Sequence, residues 1–240
     1  MELTALVLLV TFTSLFVSSI AGYGGSLLLL PALVAILGPK EGIAMAALVL
    51  AWNNVFKVAA YRNTLALRQG WPLLVVTMVG VVVGARLLVA APERLVLWSV
   101  LVTTTVSLGI EVVAGERLRR ARRSAAVPLM AGAAVLSGFS GTSGPLKGIS
   151  IRSLGLPRLE HVGLASCVSL IGDVLKVELF AQAGLLPDIQ WYLVAAVVPV
   201  MPVAAWVGRR VNERIDESTF RWVFWSVVGA YCLRMMGLWL

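Results

Sequence analysis

A glycine-rich break interrupts an apolar stretch twice in this chain, first as Gly22-Tyr23-Gly24-Gly25-Ser26 and again as Gly138-Phe139-Ser140-Gly141-Thr142-Ser143-Gly144. The surrounding sequence is 59% hydrophobic and 13% charged, with a mean hydropathy of +0.91, well outside the mix of ordinary soluble domains. Apolar runs recur at 42–61, 71–91, 95–113, 159–181, 189–207 and 220–240. A run near twenty residues rises roughly 30 Å as a helix, the thickness of a bilayer's hydrocarbon core. The segments beside the breaks, 3–21, 27–37, 125–137 and 145–154, are shorter. The fold class that follows is an all-α polytopic membrane protein with one membrane domain over 1–240. The first residues lack the basic region of a signal peptide, so 3–21 is expected to stay in the mature chain.

In hydrocarbon, a freed backbone N–H or C=O finds no water and costs several kcal/mol, so a broken helix persists only where protein or a wet cavity covers it. Matching breaks in two halves of a chain are a pointer to a transporter's binding site. The halves do match. Asn54-Val-Phe-Lys57-Val aligns with Asp173-Val-Leu-Lys176-Val, Trp71 with Trp191, and Trp98-Ser-Val with Trp225-Ser-Val, in the same order as the breaks. The ordered anchors define repeat one as 1–114, a basic loop at 115–124, and repeat two as 125–240. Each repeat reads as a broken or re-entrant helical hairpin followed by three transmembrane helices.

Loop charge chooses between kinked crossing helices and re-entrant hairpins. Lys57, Lys147 and Lys176 lie within apolar or glycine-rich segments and are set aside. With kinked helices the other cations divide almost evenly between the two sides. With hairpins only Lys40, Arg86, Arg94 and Arg234 fall outside, and all the rest fall inside. The positive-inside rule favours the hairpins, and these give the repeats inverted orientations. Loops at 62–70, 115–124, 155–158 and 208–216 are then cytoplasmic, while 91–93 and 187–188 are outside.

The formal charge of +8 raises nucleic acid as a partner. The cations, however, sit in short loops, and the cluster Arg117, Arg119, Arg120, Arg122 and Arg123 suits anionic lipid headgroups instead. Nucleic acid is therefore not expected. Cys167 and Cys232 both fall inside apolar runs and do not suggest a disulfide framework.

Glycine permits close backbone approach to a ligand. Ser26, Ser140, Thr142 and Ser143 add hydroxyls, and half-helices starting near Leu27 and Pro145 would aim N–H groups at the tips. Such a site suits a small oxyanion; the alternative is that the glycines only allow tight helix packing. Gly22, Tyr23, Gly24, Gly25, Ser26, Gly138, Phe139, Ser140, Gly141, Thr142, Ser143 and Gly144 are therefore candidate substrate-binding residues. Lys147, just past the second tip, joins them as an anion ligand. Asn53, Asn54, Lys57 and Lys176 complete the set, since a lysine inside a membrane helix faces a cavity or a partner, or else snorkels to the headgroups. Asp173 is the candidate proton carrier, with a structural salt bridge to Lys176 or Lys147 as the alternative. His161 is read as an interfacial polar residue. No metal or cofactor is expected.

The two tips, followed by Leu-Leu-Leu-Leu-Pro31 in the first half and Pro-Leu-Lys147 in the second, resemble the duplicated signature of the TauE/SafE sulfite-exporter-like permeases across essentially the whole chain. The resemblance implies a bacterial cytoplasmic-membrane carrier of sulfite, sulfonates such as sulfoacetate, or related carboxylates, and not an enzyme. Ser26 and the pair Thr142-Ser143 depart from the all-glycine form of the tips. An anion channel on the same scaffold is the alternative, and a homodimer is expected by analogy with other carriers. A rhomboid-like protease reading rests on Gly138-Phe139-Ser140-Gly141 with His161 as base. The first tip, with Gly24 in the serine's place, and the lack of a second histidine for an oxyanion site weigh against it.

Overall fold

The computed structural model describes Thr11, Leu15 and residues 25–114, 123–186 and 198–214. Gly22, Tyr23 and Gly24 lie outside the described residues, as do Trp191, Trp225 and the apolar run 220–240. Among the described residues every regular element is helical, in the order α1 (Gly25–Leu37), α2 (Pro39–Ala60), α3 (Leu67–Ala90), α4 (Glu93–Ala114), α5 (Ala126–Ser140), α6 (Gly144–Arg152), α7 (Arg158–Gln182) and α8 (Val200–Arg214). A short 3-10 turn at Arg123–Ala125 leads into α5.

Two of these helices, α2 and α3, are both long and apolar enough to cross a membrane. The distribution of side chains is inverted relative to a soluble protein. On α3 the outward face carries Trp71, Val75, Met78, Val79, Val83 and Leu87, each at least two-fifths exposed, while Thr77 is buried on the opposite face. Lys57, Lys176 and Asp173 are likewise buried inside the bundle. An apolar exterior around a polar interior is what a hydrocarbon solvent selects.

Chain reversals hold the helices against each other. Gly38 (φ 94°) ends α1, and Pro39 opens α2 at a position where its missing N–H is not needed. At Gly42 an added Cβ would lie 2.6 Å from the Val34 backbone, so α1 and α2 run in close contact. The second break behaves as a hairpin tip. Gly141 (φ 78°) ends α5, and α6 starts at Gly144 with Pro145 in its first turn. Near the end of α6, the Ser150 hydroxyl donates to the Ala126 carbonyl at the start of α5, 2.6 Å away. The segment after the break has therefore returned to the side from which α5 began.

The most extensive packing joins α3 to α5. Gly80 and Gly84 on α3 face Ala134 and Gly138 on α5: a Cβ on Gly80 would sit 2.6 Å from the Ala134 methyl, and one on Gly84 would overlap the Val135 carbonyl. A small residue every fourth position on both helices lets the backbones touch, the dominant attraction between helices where no hydrophobic effect operates. An apolar cluster including Leu29, Leu30, Ile43, Ala47, Leu88, Val100 and Phe180 fills the space among α1, α2, α3, α4 and α7.

The expected helix over 189–207 is corrected by the structure. A turn occupies 198–199, and α8 runs from Val200 through Arg214, taking Arg209, Arg210 and Arg214 into the helix. Pro199 cannot supply a backbone N–H, whereas at a helix start that loss is harmless. The segment expected as a loop at 208–216 is helical as far as Arg214.

The α3–α5 crossing predicts a specific asymmetry between glycines. Gly84→Ala should destabilise the detergent-solubilised protein by about 1–3 kcal/mol, because the methyl has no room. Gly132→Ala, where nothing lies within 4 Å, should be neutral or slightly stabilising. Thermal unfolding of the two variants side by side checks this.

Candidate functional site

The polar interior is assembled by one face of α7. Ser169, Asp173 and Lys176 stand at i, i+4 and i+7, so helical geometry stacks them along one stripe. Asp173 is the focus. Its Oδ2 accepts a hydrogen bond from Asn54 Nδ2 on α2 at 2.7 Å, and its Oδ1 is 2.7 Å from Lys176 Nζ. Lys176 Nζ also reaches Ser137 Oγ on α5 at 3.4 Å. The pairing follows from solvent: a carboxylate taken out of water requires both a counter-charge and donors to each oxygen.

Lys147 enters the same region from α6 and donates to Ser169 Oγ at 2.6 Å. Lys57, fully buried on α2, lies within the electrostatic field of Lys147 and Asp173. The two helix lysines are enclosed by protein, so neither snorkels to the membrane surface. A cavity of about 30 Å³ is lined here by Thr77, Ser137, Ser143, Lys147, Ser169 and Asp173 on its polar side, with Val81, Met130, Ala133, Ala134, Val168 and Gly172 completing the wall. Asp173 is the one acid among the described residues that lines it. Among the described residues Lys147 is the lysine that lines the cavity, while Lys176 is paired with Asp173.

The candidates from the second glycine break separate into different roles. Ser143 lines the cavity. Ser140 is fully buried, and its hydroxyl is engaged by two backbone carbonyls, Leu136 at 2.9 Å and Thr142 at 3.2 Å. Thr142 is buried. Gly138 meets Val81 and Gly84 of α3, so its missing side chain serves helix packing, while Gly141 approaches Leu30 and Ile43 of the first half. Phe139 packs against the large apolar cluster. Gly144 begins α6, and Gly25 and Ser26 begin α1.

Asn53, one residue before Asn54 on α2, is fully buried. His161 is buried in the first turn of α7. Thr77, Ser137, Ser169 and Gly172 were not picked out from sequence. Ser169 was the most accessible to reasoning, being one turn before Asp173 on the same helix face. Thr77 carried a weaker signal, as a lone polar residue in an apolar run.

An apolar-surfaced helical bundle with a cationic, hydroxyl-lined interior defines the class as a membrane protein. The family model described as Sulfite exporter TauE/SafE matches residues 6–235. The chain belongs to that family, a family of membrane transporters. No curated protein and no solved structure matches the chain.

The shared carboxylate predicts a compensating pair of substitutions. Lys176→Gln should cost about 3–5 kcal/mol of stability, the range for stripping one partner from a buried ion pair. Asp173→Asn combined with Lys176→Gln should recover most of that loss. Thermal unfolding of both single variants and the double variant gives the coupling energy directly.

Proposed function

We propose that the protein is a secondary transporter that exports small oxyanions (sulfite, sulfonates such as sulfoacetate, or related carboxylates) across the bacterial cytoplasmic membrane as a multi-pass protein. The observation that carries this reading is a cavity at the second glycine break that is lined by Lys147 and several hydroxyls. Lys147 lines it with its Nζ on a hydroxyl, Ser169 Oγ, and with no carboxylate at ion-pair distance among the described residues, so an anion there would pair with it. Lys147 and the hydroxyls of Ser143, Ser169 and Ser137 supply donors on one side, so a ligand rich in acceptor oxygens fits the lining.

A carrier mechanism is supported over a channel by the size of the cavity. At about 30 Å³ it holds a water or two, so an oxyanion enters only as the helices part. The Asn54–Asp173 contact joins two positions that the sequence alignment makes equivalent, as occurs at an axis relating two repeats. It supports an inverted-repeat architecture in which the α2–α7 seam opens to alternate sides. Asp173, held between Asn54 and Lys176, is the group we assign to proton coupling, with thirteen loop and helix-end cations on the cytoplasmic side.

Proteoliposome transport tests the reading. Wild-type protein should show saturable sulfite movement that responds to an imposed proton gradient, and Lys147→Gln should raise KM by about tenfold, the loss of one charge-assisted hydrogen bond. Passive, non-saturable flux would indicate a channel. Cysteine placed at 155 should resist labelling by a membrane-impermeant maleimide added from outside; strong labelling there would overturn the orientation.

A further inference from the structure

Among the described residues, Asn53 is a buried side chain with both ends of its amide left without a hydrogen bond. It is fully buried, and neither its Nδ2 nor its Oδ1 has a partner among the described residues. Its neighbour Asn54 differs: the same side chain one residue later is committed to Asp173. On α2 the positions of Asn53 and Asn54 flank Lys57, four and three residues before it, so the stripe of Lys57 runs between them. In the alignment of the two halves, Asn53 corresponds to Gly172, which lines the cavity. The first half thus presents a buried amide where the second half presents open wall.

An orphaned buried amide is costly, because both its donor and its acceptor have been desolvated. What satisfies it must offer two things at once: an acceptor for Nδ2–H and a donor for Oδ1. A fully deprotonated sulfonate or carboxylate head has acceptors only. We propose that Asn53 selects, next to the cationic field of Lys57, an oxyanion that keeps one O–H on its head group, of the hydrogensulfite or monoprotonated phosphonate type. The anion's ionised oxygens answer the lysines and the amide N–H, and its remaining O–H donates to Asn53 Oδ1. This inference rests on the anion-transport reading above and adds the protonation state of the ligand to it.

The consequence is discrimination between ions of equal charge and nearly equal shape. A site built around a hydrogen bond rejects an analogue that lacks the group, since its own polar atoms are then left buried and unpaired. Methylphosphonate near pH 6 is a tetrahedral monoanion with one O–H, while methanesulfonate is a tetrahedral monoanion with none.

Competition of each against sulfite uptake by wild-type proteoliposomes should favour methylphosphonate by on the order of tenfold to a hundredfold. Asn53→Leu should bring the ratio close to one, provided it elutes as a monodisperse protein; otherwise the wild-type ratio decides alone. A wild-type ratio near one, with sulfite still transported, would mean that Asn53 holds only a water and would overturn this inference while leaving the transport reading intact. A strong preference that survives in Asn53→Leu would place the selectivity elsewhere and overturn it as well. Absence of sulfite uptake in the wild type would remove both.

Discussion

The carboxylate of Asp173 is the hinge of the structure's energetics. A single acid buried among lysines in a bundle surrounded by hydrocarbon has no water to fall back on, and each of its oxygens must be met by protein. Asn54 from α2 and Lys176 from its own helix meet them, at 2.7 Å each. The contact therefore fixes the position of α2 against α7, and with it the placement of Lys57. Ser169, one turn before Asp173, anchors Lys147 from α6. Remove the acid and Lys176 would lose the counter-charge that lies 2.7 Å away.

Two kinds of helix contact divide the work of the bundle. The α3–α5 crossing is backbone on backbone, built from Gly80, Gly84, Ala134 and Gly138, and its attraction is dispersion at close range. The α2–α7 seam is held in part by a polar pair whose strength depends on the charge around it. The cavity borders both, with Val81 and Ala134 on the side of the first contact and Asp173 on the side of the second.

The sequence made the helical class, the second hairpin tip and the cluster of Asn54, Asp173, Lys147 and Lys176 legible, because each rests on local chemistry: apolar run length, glycine with hydroxyls, and charge placed where hydrocarbon penalises it. The Asp173–Lys176 bridge was visible as an i, i+3 pair. What sequence did not yield depends on which faces meet. Gly138 looked like part of a ligand tip, yet it lies in the crossing with α3, and only three-dimensional pairing links it to Gly84. Ser140 offered a hydroxyl, but its engagement with Leu136 and Thr142 follows from the detailed end of α5. The turn at 198–199 was hidden in an apolar run, where composition masks the effect of Pro199.

The central claim is that the cavity lined by Lys147 and its neighbouring hydroxyls is an anion-binding site. Isothermal titration of purified, detergent-solubilised protein with sulfite at constant ionic strength tests it most directly. The account predicts saturable binding near one anion per chain, weakened by Lys147→Gln and insensitive to exchange of the accompanying cation. Heats no different from those of an ionic-strength control, or binding unchanged in Lys147→Gln, would contradict it.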